Sequence, residues 1–348
     1  MTLNSFTYYR ALAIFFIVAA HSYELARVSS DSMFNSFFMN IISGGTALFV
    51  FISGFLFHHV FYPKYNFEKF IKGKLRNLFI PYFLLGILPI AYHVYTQNSH
   101  WGGYFFSGEQ SFYERFILPI IKYYFTGRFL VAYWYIVFAM ILFLLSPLHV
   151  VYIKQKKFLQ LVILGVFLII GLLVGRPAYD LNPMQAIMYY MPVYLFGILC
   201  SQYKVTIYTA LKGKDGLLAA CCLLLAFVQS YLGNTGFLTK PFFNYDGIDI
   251  NLIQKLCLCL FFMIWLHRFE NIEIKPLQLL AATSFAVYFI HAYLLGVIWV
   301  LVPSKHLIQQ ESWLAFFGFV FLIIFISVAI ASLVKKILPR HSRFITGY

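Results

Sequence analysis

Apolar runs of about twenty residues follow one another along the whole chain, and polar residues fall mostly in the short stretches between them. A helix of that length crosses the ~30 Å hydrocarbon core of a bilayer. The pattern predicts spans near 6–27, 37–61, 77–95, 129–151, 158–175, 184–203, 216–232, 251–267, 278–302 and 312–334. The expected fold class is therefore all-α, a polytopic integral membrane bundle of about ten helices. No Pro/Ser/Gly-rich linker or low-complexity stretch divides it, so residues 1–348 read as a single integral domain. The first run is too long for a signal-peptide core, contains an arginine and lacks a small-residue cleavage site, so it is expected to remain as a span. No internal repeat of transporter type is visible.

Ionisable residues interrupt the first run, YYRALAIFFIVAAH. Arg10 and His21 are eleven residues apart, about three helical turns, which places them on one face and ~16 Å apart along the axis. Glu24, one turn further, extends the stripe. A charged group in hydrocarbon costs a few kcal/mol or more, so such residues usually line a cavity, a pathway or a reaction centre. A histidine with an ordinary pKa near ~6.5 can take a proton from a hydroxyl, and a nearby carboxylate such as Glu24 can orient it. The plainer alternative is that Arg10 snorkels to the headgroups and His21 only packs. The ninth run, LAATSFAVYFIHAYLL, carries a second stripe: Ser284, Tyr288 and His291 recur at i, i+4 and i+7 and share a face. Interhelical hydrogen bonding explains the serine and tyrosine as readily as function does.

Composition agrees with the pattern. The chain is 61% hydrophobic and 11% charged, against about 25% charged in soluble domains. Its net charge of +14 could suggest a nucleic-acid partner, but the basic residues mark topology instead. Alternate connections differ sharply. One set holds Lys64, Lys69, Lys72, Lys74 and Arg76, then Lys154, Lys156 and Lys157, then Lys204, Lys212 and Lys214, then Arg268 and Lys275, then Lys335, Lys336, Arg340 and Arg343. The other has only Arg27, Arg115, Lys122, Arg128, Arg176, Lys240, Lys255 and Lys305. The positive-inside rule makes the first set cytoplasmic, with both termini inside and membrane lipid, not nucleic acid, as the general partner.

Within NFEKFIKGKLRNLFIPYF, the cluster Lys69, Lys72, Lys74 and Arg76 is suited either to gripping the phosphates of a nucleotide-like donor or to anchoring on anionic lipid. The five cysteines all fall within spans without metal or redox spacing, so neither a metal site nor a tightly bound cofactor is expected. The connection 96–128 holds His100, Trp101, Glu109, Glu114 and several tyrosines, with a helix expected around Tyr113–Phe125. A sugar polymer could stack there, or the aromatics could form the ordinary interfacial belt.

Several of these segments, in order, resemble one family, the integral-membrane acyltransferases called acyltransferase family 3, which acylate sugars of surface polysaccharides. They are Arg10-x-x-Ala13-x-x-x-Ile17-x-x-x-His21, the glycine-opened GGTALFVFISGFLF, the basic run before Ile80-Pro81-Tyr82, Tyr133-Trp134-Tyr135-Ile136, and Ser284-x-x-x-Tyr288-x-x-His291. The resemblance implies a bacterial inner-membrane enzyme that transfers acetyl or succinyl from cytoplasmic acyl-CoA to a hydroxyl of a polysaccharide or lipid-linked glycan. His21 with Arg10 would be the central pair. His21 and Glu24 are then the expected catalytic residues, and Arg10, Lys72, Lys74, Arg76, Ser284, Tyr288 and His291 the expected donor-binding ones. An acyl-enzyme on His21, Ser284 or Ser53 is an alternative to direct transfer. The chain departs from the family where Lys72, Lys74 and Arg76 replace two arginines three apart. No esterase-like segment follows the last span, so a second acyl-transfer partner would be a separate protein. The short aromatic-rich form is similar to members associated with biofilm exopolysaccharide, which leaves open other synthesis proteins or a second copy of the chain as partners. Two rival classes remain: a glycan transporter or flippase, and a non-catalytic subunit of a polysaccharide synthase.

Overall fold

The computed structural model describes residues 3–97, 102–106, 108, 111–236, 239–242, 244–245, 247–302 and 304–348. His100, Trp101 and Glu109 lie outside these. The chain order is α1 (Asn4–Ala20), α2 (Met33–Ile42), α3 (Gly45–Leu56), α4 (Phe67–Lys74), α5 (Ile80–Thr96), α6 (Gly102–Phe105), α7 (Leu118–Thr126), α8 (Trp134–Leu144), α9 (Ser146–Ile153), α10 (Lys157–Val174), α11 (Pro183–Gln202), α12 (Lys204–Leu211), α13 (Asp215–Tyr231), α14 (Ile250–His267), α15 (Lys275–Ala282), α16 (Ser284–Leu301), α17 (Trp313–Ile337) and α18 (Ser342–Ile345). Wider π turns at Phe57–Phe61 and Leu75–Phe79 extend α3 and join α4 to α5. Among the described residues there is no strand, only an isolated bridge between Pro177 and Lys240. The protein is an all-α membrane bundle.

Among the described residues seven helical stretches are long and apolar enough to cross a bilayer, and α8 with α9, bent by 55°, makes an eighth if taken as one span. Of the ten predicted spans, the remaining two coincide with α1 and α13, which are apolar but only 17 residues long. α1 is nevertheless deeply enclosed, with none of its residues exposed. It packs on α3, α14, α15, α16 and α17, and apolar residues surround it on every side, as expected for a helix buried all round. Its first turn is fixed by a distant acid, because the Glu270 carboxylate accepts from the Asn4 and Ser5 amides at 2.8 and 3.1 Å. That places a negative charge on the positive end of the helix dipole.

The expected continuation of α1 to residue 27 is not formed. The helix stops at Ala20, His21 closes it with φ −101° and ψ 0°, and Tyr23–Ala26 form a separate 3₁₀ turn. Neither glycine nor proline breaks it. Instead, the carbonyls of Glu24, Leu25 and Ala26 accept hydrogen bonds from His306 Nδ1, the Leu307 amide and the Ser312 amide. The segment before α17 thus ties down the separate turn and satisfies its carbonyls.

Two close approaches require glycine. α2 turns into α3 at Gly44, with φ +84°, and a Cβ there would lie 2.6 Å from Lys255 Cε. Lys255, counted above with the connections, lies inside α14, and its ammonium donates to the Asn40 and Ile41 carbonyls at 2.6 and 3.2 Å. A buried cation thereby caps the carbonyl end of α2. In the α3–α11 contact, a Cβ on Gly54 would sit 2.1 Å from the Tyr194 carbonyl oxygen, and one on Gly197 would sit 2.3 Å from that of Phe51. Lipid tails are as apolar as side chains, so such small-residue contacts hold membrane helices together.

Candidate active site

α1 and α16 run side by side in the same direction, and their polar residues meet in pairs. Arg10 Nη2 donates to Ser284 Oγ at 2.9 Å, and the rings of His21 and His291 stack with centroids 5.8 Å apart. Eleven residues on α1 therefore match seven on α16. The difference in rise is roughly 6 Å, which the long arginine side chain spans. His291 Nδ1 lies 2.9 Å from the Val287 carbonyl, which can only accept, so Nδ1 carries the hydrogen and Nε2 is left with a lone pair. That Nε2 is buried without a hydrogen-bond partner among the described residues. The His21 ring makes no hydrogen bond among them either, and it borders a cavity.

A cavity of about 660 Å³ opens at the Arg10 end of α1. Arg10, Lys64, Lys69, Lys74 and Arg343 line it, and no carboxylate does among the described residues. Lys74 enters it through an aromatic cage, with Nζ 4.3, 4.7 and 5.1 Å from the rings of Phe143, Phe61 and Phe70. Of the three basic residues expected to hold a donor here, Lys74 alone reaches the wall. Lys72 points to solvent and pairs with Glu68 at 2.5 Å, while Arg76 lies over the Phe344 ring at 4.6 Å. Helical geometry explains the correction, because residues two apart point about 200° from each other and cannot share one face. Residues 66, 69, 70, 73, 74 and 77, at helical spacing, do line the cavity. Arg343 comes from the tail after α17. Ser284, another expected donor ligand, is buried against Arg10 instead of lining this cavity, whereas Ser53 does line it.

A second cavity, about 480 Å³, lies at the His21 end. Its wall has both signs of charge: Arg128 and Arg176, with Glu24, Asp31 and Asp180. Arg176 grips Asp180 in a bidentate pair, with Nε and Nη2 donating to the two carboxylate oxygens at 2.9 and 2.8 Å, Arg128 approaches the same carboxylate at 3.7 Å, and Arg176 lies 5.5 Å above the Trp134 ring. Tyr179 and Asp180 both have positive φ, 55° and 56°. This is a costly conformation for non-glycine residues, held here by the bidentate pair. Glu24 does not orient His21 as expected. It is exposed on its own turn, with its carboxylate 3.8 Å from Lys305 Nζ.

Tyr288 borders this second cavity, and its hydroxyl donates to the Ala132 carbonyl. Ala132 has φ +70°, and the same carbonyl accepts from the Tyr135 amide at 3.1 Å. His291 supports His21 from behind and lines neither cavity. Arg128 and Arg176 had served only to assign topology, and Asp180 had not been singled out; the signal in the sequence was two arginines in otherwise base-poor connections. No group of His, Cys, Asp or Glu among the described residues could hold a metal ion.

The fold and site together define a polytopic membrane protein whose first helix carries an arginine–histidine axis from a basic cavity to a mixed one. The acyltransferase 3 family model, described as an acyltransferase domain, matches residues 3–332, and the chain belongs to that family. It is a multi-pass membrane acyltransferase. No curated relative and no solved structure matches it.

Proposed function

We propose that the protein transfers acetyl or succinyl from acyl-CoA, bound from the cytoplasm, to a hydroxyl of a surface or exported polysaccharide or its lipid-linked precursor. The setting is a bacterial inner membrane, with both termini cytoplasmic. The observation that carries this reading is the charge of the first cavity: five cations converge there without a carboxylate among the described residues. Coenzyme A is a polyanion with a long uncharged arm ending in the thioester, and its phosphates match such a wall through charge-assisted hydrogen bonds. The basic connection 62–76 belongs to the cytoplasmic set, so the donor enters from that side.

The arm then runs beside α1 from Arg10 toward His21. His21 takes the proton of the acceptor hydroxyl, the oxygen attacks the thioester carbonyl, the C–S bond breaks, and the departing thiolate receives the proton from the His21 imidazolium. General base catalysis supplies roughly 10²–10⁴-fold, and holding both substrates in a water-poor passage supplies much of the rest. His291, fixed through Nδ1 and stacked on His21, keeps the ring facing the cavity.

The test uses purified protein in nanodiscs with acetyl-, succinyl- and butyryl-CoA, scored by free thiol release and by acylation of an added glycan. Thiol release coupled to glycan acylation is expected. Consumption of none of these donors would overturn the acyl-CoA reading. In inside-out vesicles, donor added to the exposed cytoplasmic face should acylate a glycan trapped in the lumen. Glycan movement without acylation would put a transporter in its place.

A further inference from the structure

We infer that Tyr135 is the aperture between the two cavities and sets the largest acyl group that can pass from the donor side to His21. The inference rests on the acyl-CoA reading above. Among the described residues Tyr135 alone borders both cavities, so an acyl chain moving between them passes beside its ring. The ring has little room to move aside. It is 7% exposed, lies edge-on to Tyr288 at 5.9 Å, and packs against Phe138 at 5.7 Å and Trp134 at 6.4 Å.

Its backbone is equally constrained. Tyr135 stands in the first turn of α8, and its amide is tied to the Ala132 carbonyl that the Tyr288 hydroxyl also holds. Swinging the ring out would mean moving that turn. Close-packed interiors resist such movement, so the size of the side chain at 135, and not a hinge, fixes the width of the passage. The methylene arm of a short acyl group can slip past a fixed aromatic edge, and each further methylene meets it.

The experiment measures kcat/KM for acetyl-, succinyl-, hexanoyl- and octanoyl-CoA with the wild type, Tyr135→Ala, Tyr135→Leu, Tyr135→Trp and Tyr135→Phe, with thermal melting as the check on folding. Shortening the side chain is expected to raise the octanoyl-to-acetyl ratio at least tenfold. Tyr135→Trp is expected to lower the succinyl-to-acetyl ratio, and Tyr135→Phe to keep the wild-type order of donors. A structural defect would depress all donors together and leave the ratios alone. An unchanged order of donors in the folded variants would overturn the aperture while leaving the acyl-CoA reading intact. A wild type that consumes no acyl-CoA would overturn both. If the small variants fail to fold, Tyr135→Trp decides by itself.

Discussion

At the Arg10 end of α1, cations gather on a wall without a described carboxylate; at the His21 end, two arginines share Asp180 and a 3₁₀ turn faces Lys305. The same kind of side chain thus serves two purposes. Arg10 and Lys74, the two of the first wall's cations that are not exposed, have no described carboxylate beside them in that wall, and such groups in a membrane protein are costly until a ligand brings negative charge, so they mark a site that fills and empties. Cations locked to a buried carboxylate are already satisfied, and they instead stiffen the wall around them. On this view the first cavity recognises and the second positions.

The largest expected effect belongs to His21, which the proposed mechanism makes the general base. His21→Ala should lower acyl transfer by roughly 10²–10⁴-fold, the range of a lost general base, while the protein still inserts and melts as the wild type does. Activity retained at matched protein levels would remove His21 from the chemistry. Next comes the stiff wall. Asp180→Asn leaves Arg128 and Arg176 facing each other without their shared counter-charge, and breaking a buried pair costs about 3–5 kcal/mol. A large fall in melting temperature is expected, with donor affinity little changed; the reverse pattern would place Asp180 among the recognising residues.

Arg10 should behave in the opposite sense. A charge-assisted contact is worth about 1.5–3 kcal/mol, so Arg10→Ala should weaken acyl-CoA binding by roughly 10–100-fold in calorimetry without lowering the melting temperature comparably. Arg10→Lys should recover little, since an ammonium cannot reach Ser284 and a phosphate as a planar fork can. Wild-type binding by both variants would reduce Arg10 to an anchor. The smallest contrast is internal to the basic run: Lys74→Ala should weaken binding several-fold, whereas Lys72→Ala should not, because exposed ion pairs contribute only about 0.2–1 kcal/mol and Lys72 faces away from the cavity. Equal effects would mean that loop charge as a whole, and not the caged ammonium, attracts the donor.

What could be read from the residues followed the reach of helical periodicity. Arg10 and His21 were legible as one face because α1 is regular between them, and Ser284 and His291 because α16 is regular too. Periodicity failed where other forces took over. Glu24 was misplaced because it falls on a separate turn whose carbonyls are held by the His306 ring and by the Leu307 and Ser312 amides, a contact made across some 280 positions. Lys72 and Arg76 were grouped with Lys74 by nearness in sequence, although an i, i+2, i+4 set cannot share a helical face. Tyr135 was visible as part of a motif, yet its place between two cavities depends on α3 and α16 closing around it. Arg343 and the Arg128–Asp180–Arg176 cluster come from a tail and two connections, whose meeting is purely tertiary.

The paired glycine contact between α3 and α11 has a consequence for biogenesis. The two helices are separated by more than a hundred residues of chain, so at ~5–20 residues per second the ribosome needs on the order of ten seconds to deliver the partner of a helix already made. During that interval the Gly54 face of α3 meets lipid or the insertion machinery, and the helix must persist on its own apolar character. Its sequence, GTALFVFISGFL, is apolar enough all round to do so. The wall that carries Ser53 toward the basic cavity is therefore completed only after more than half of the protein has been synthesised.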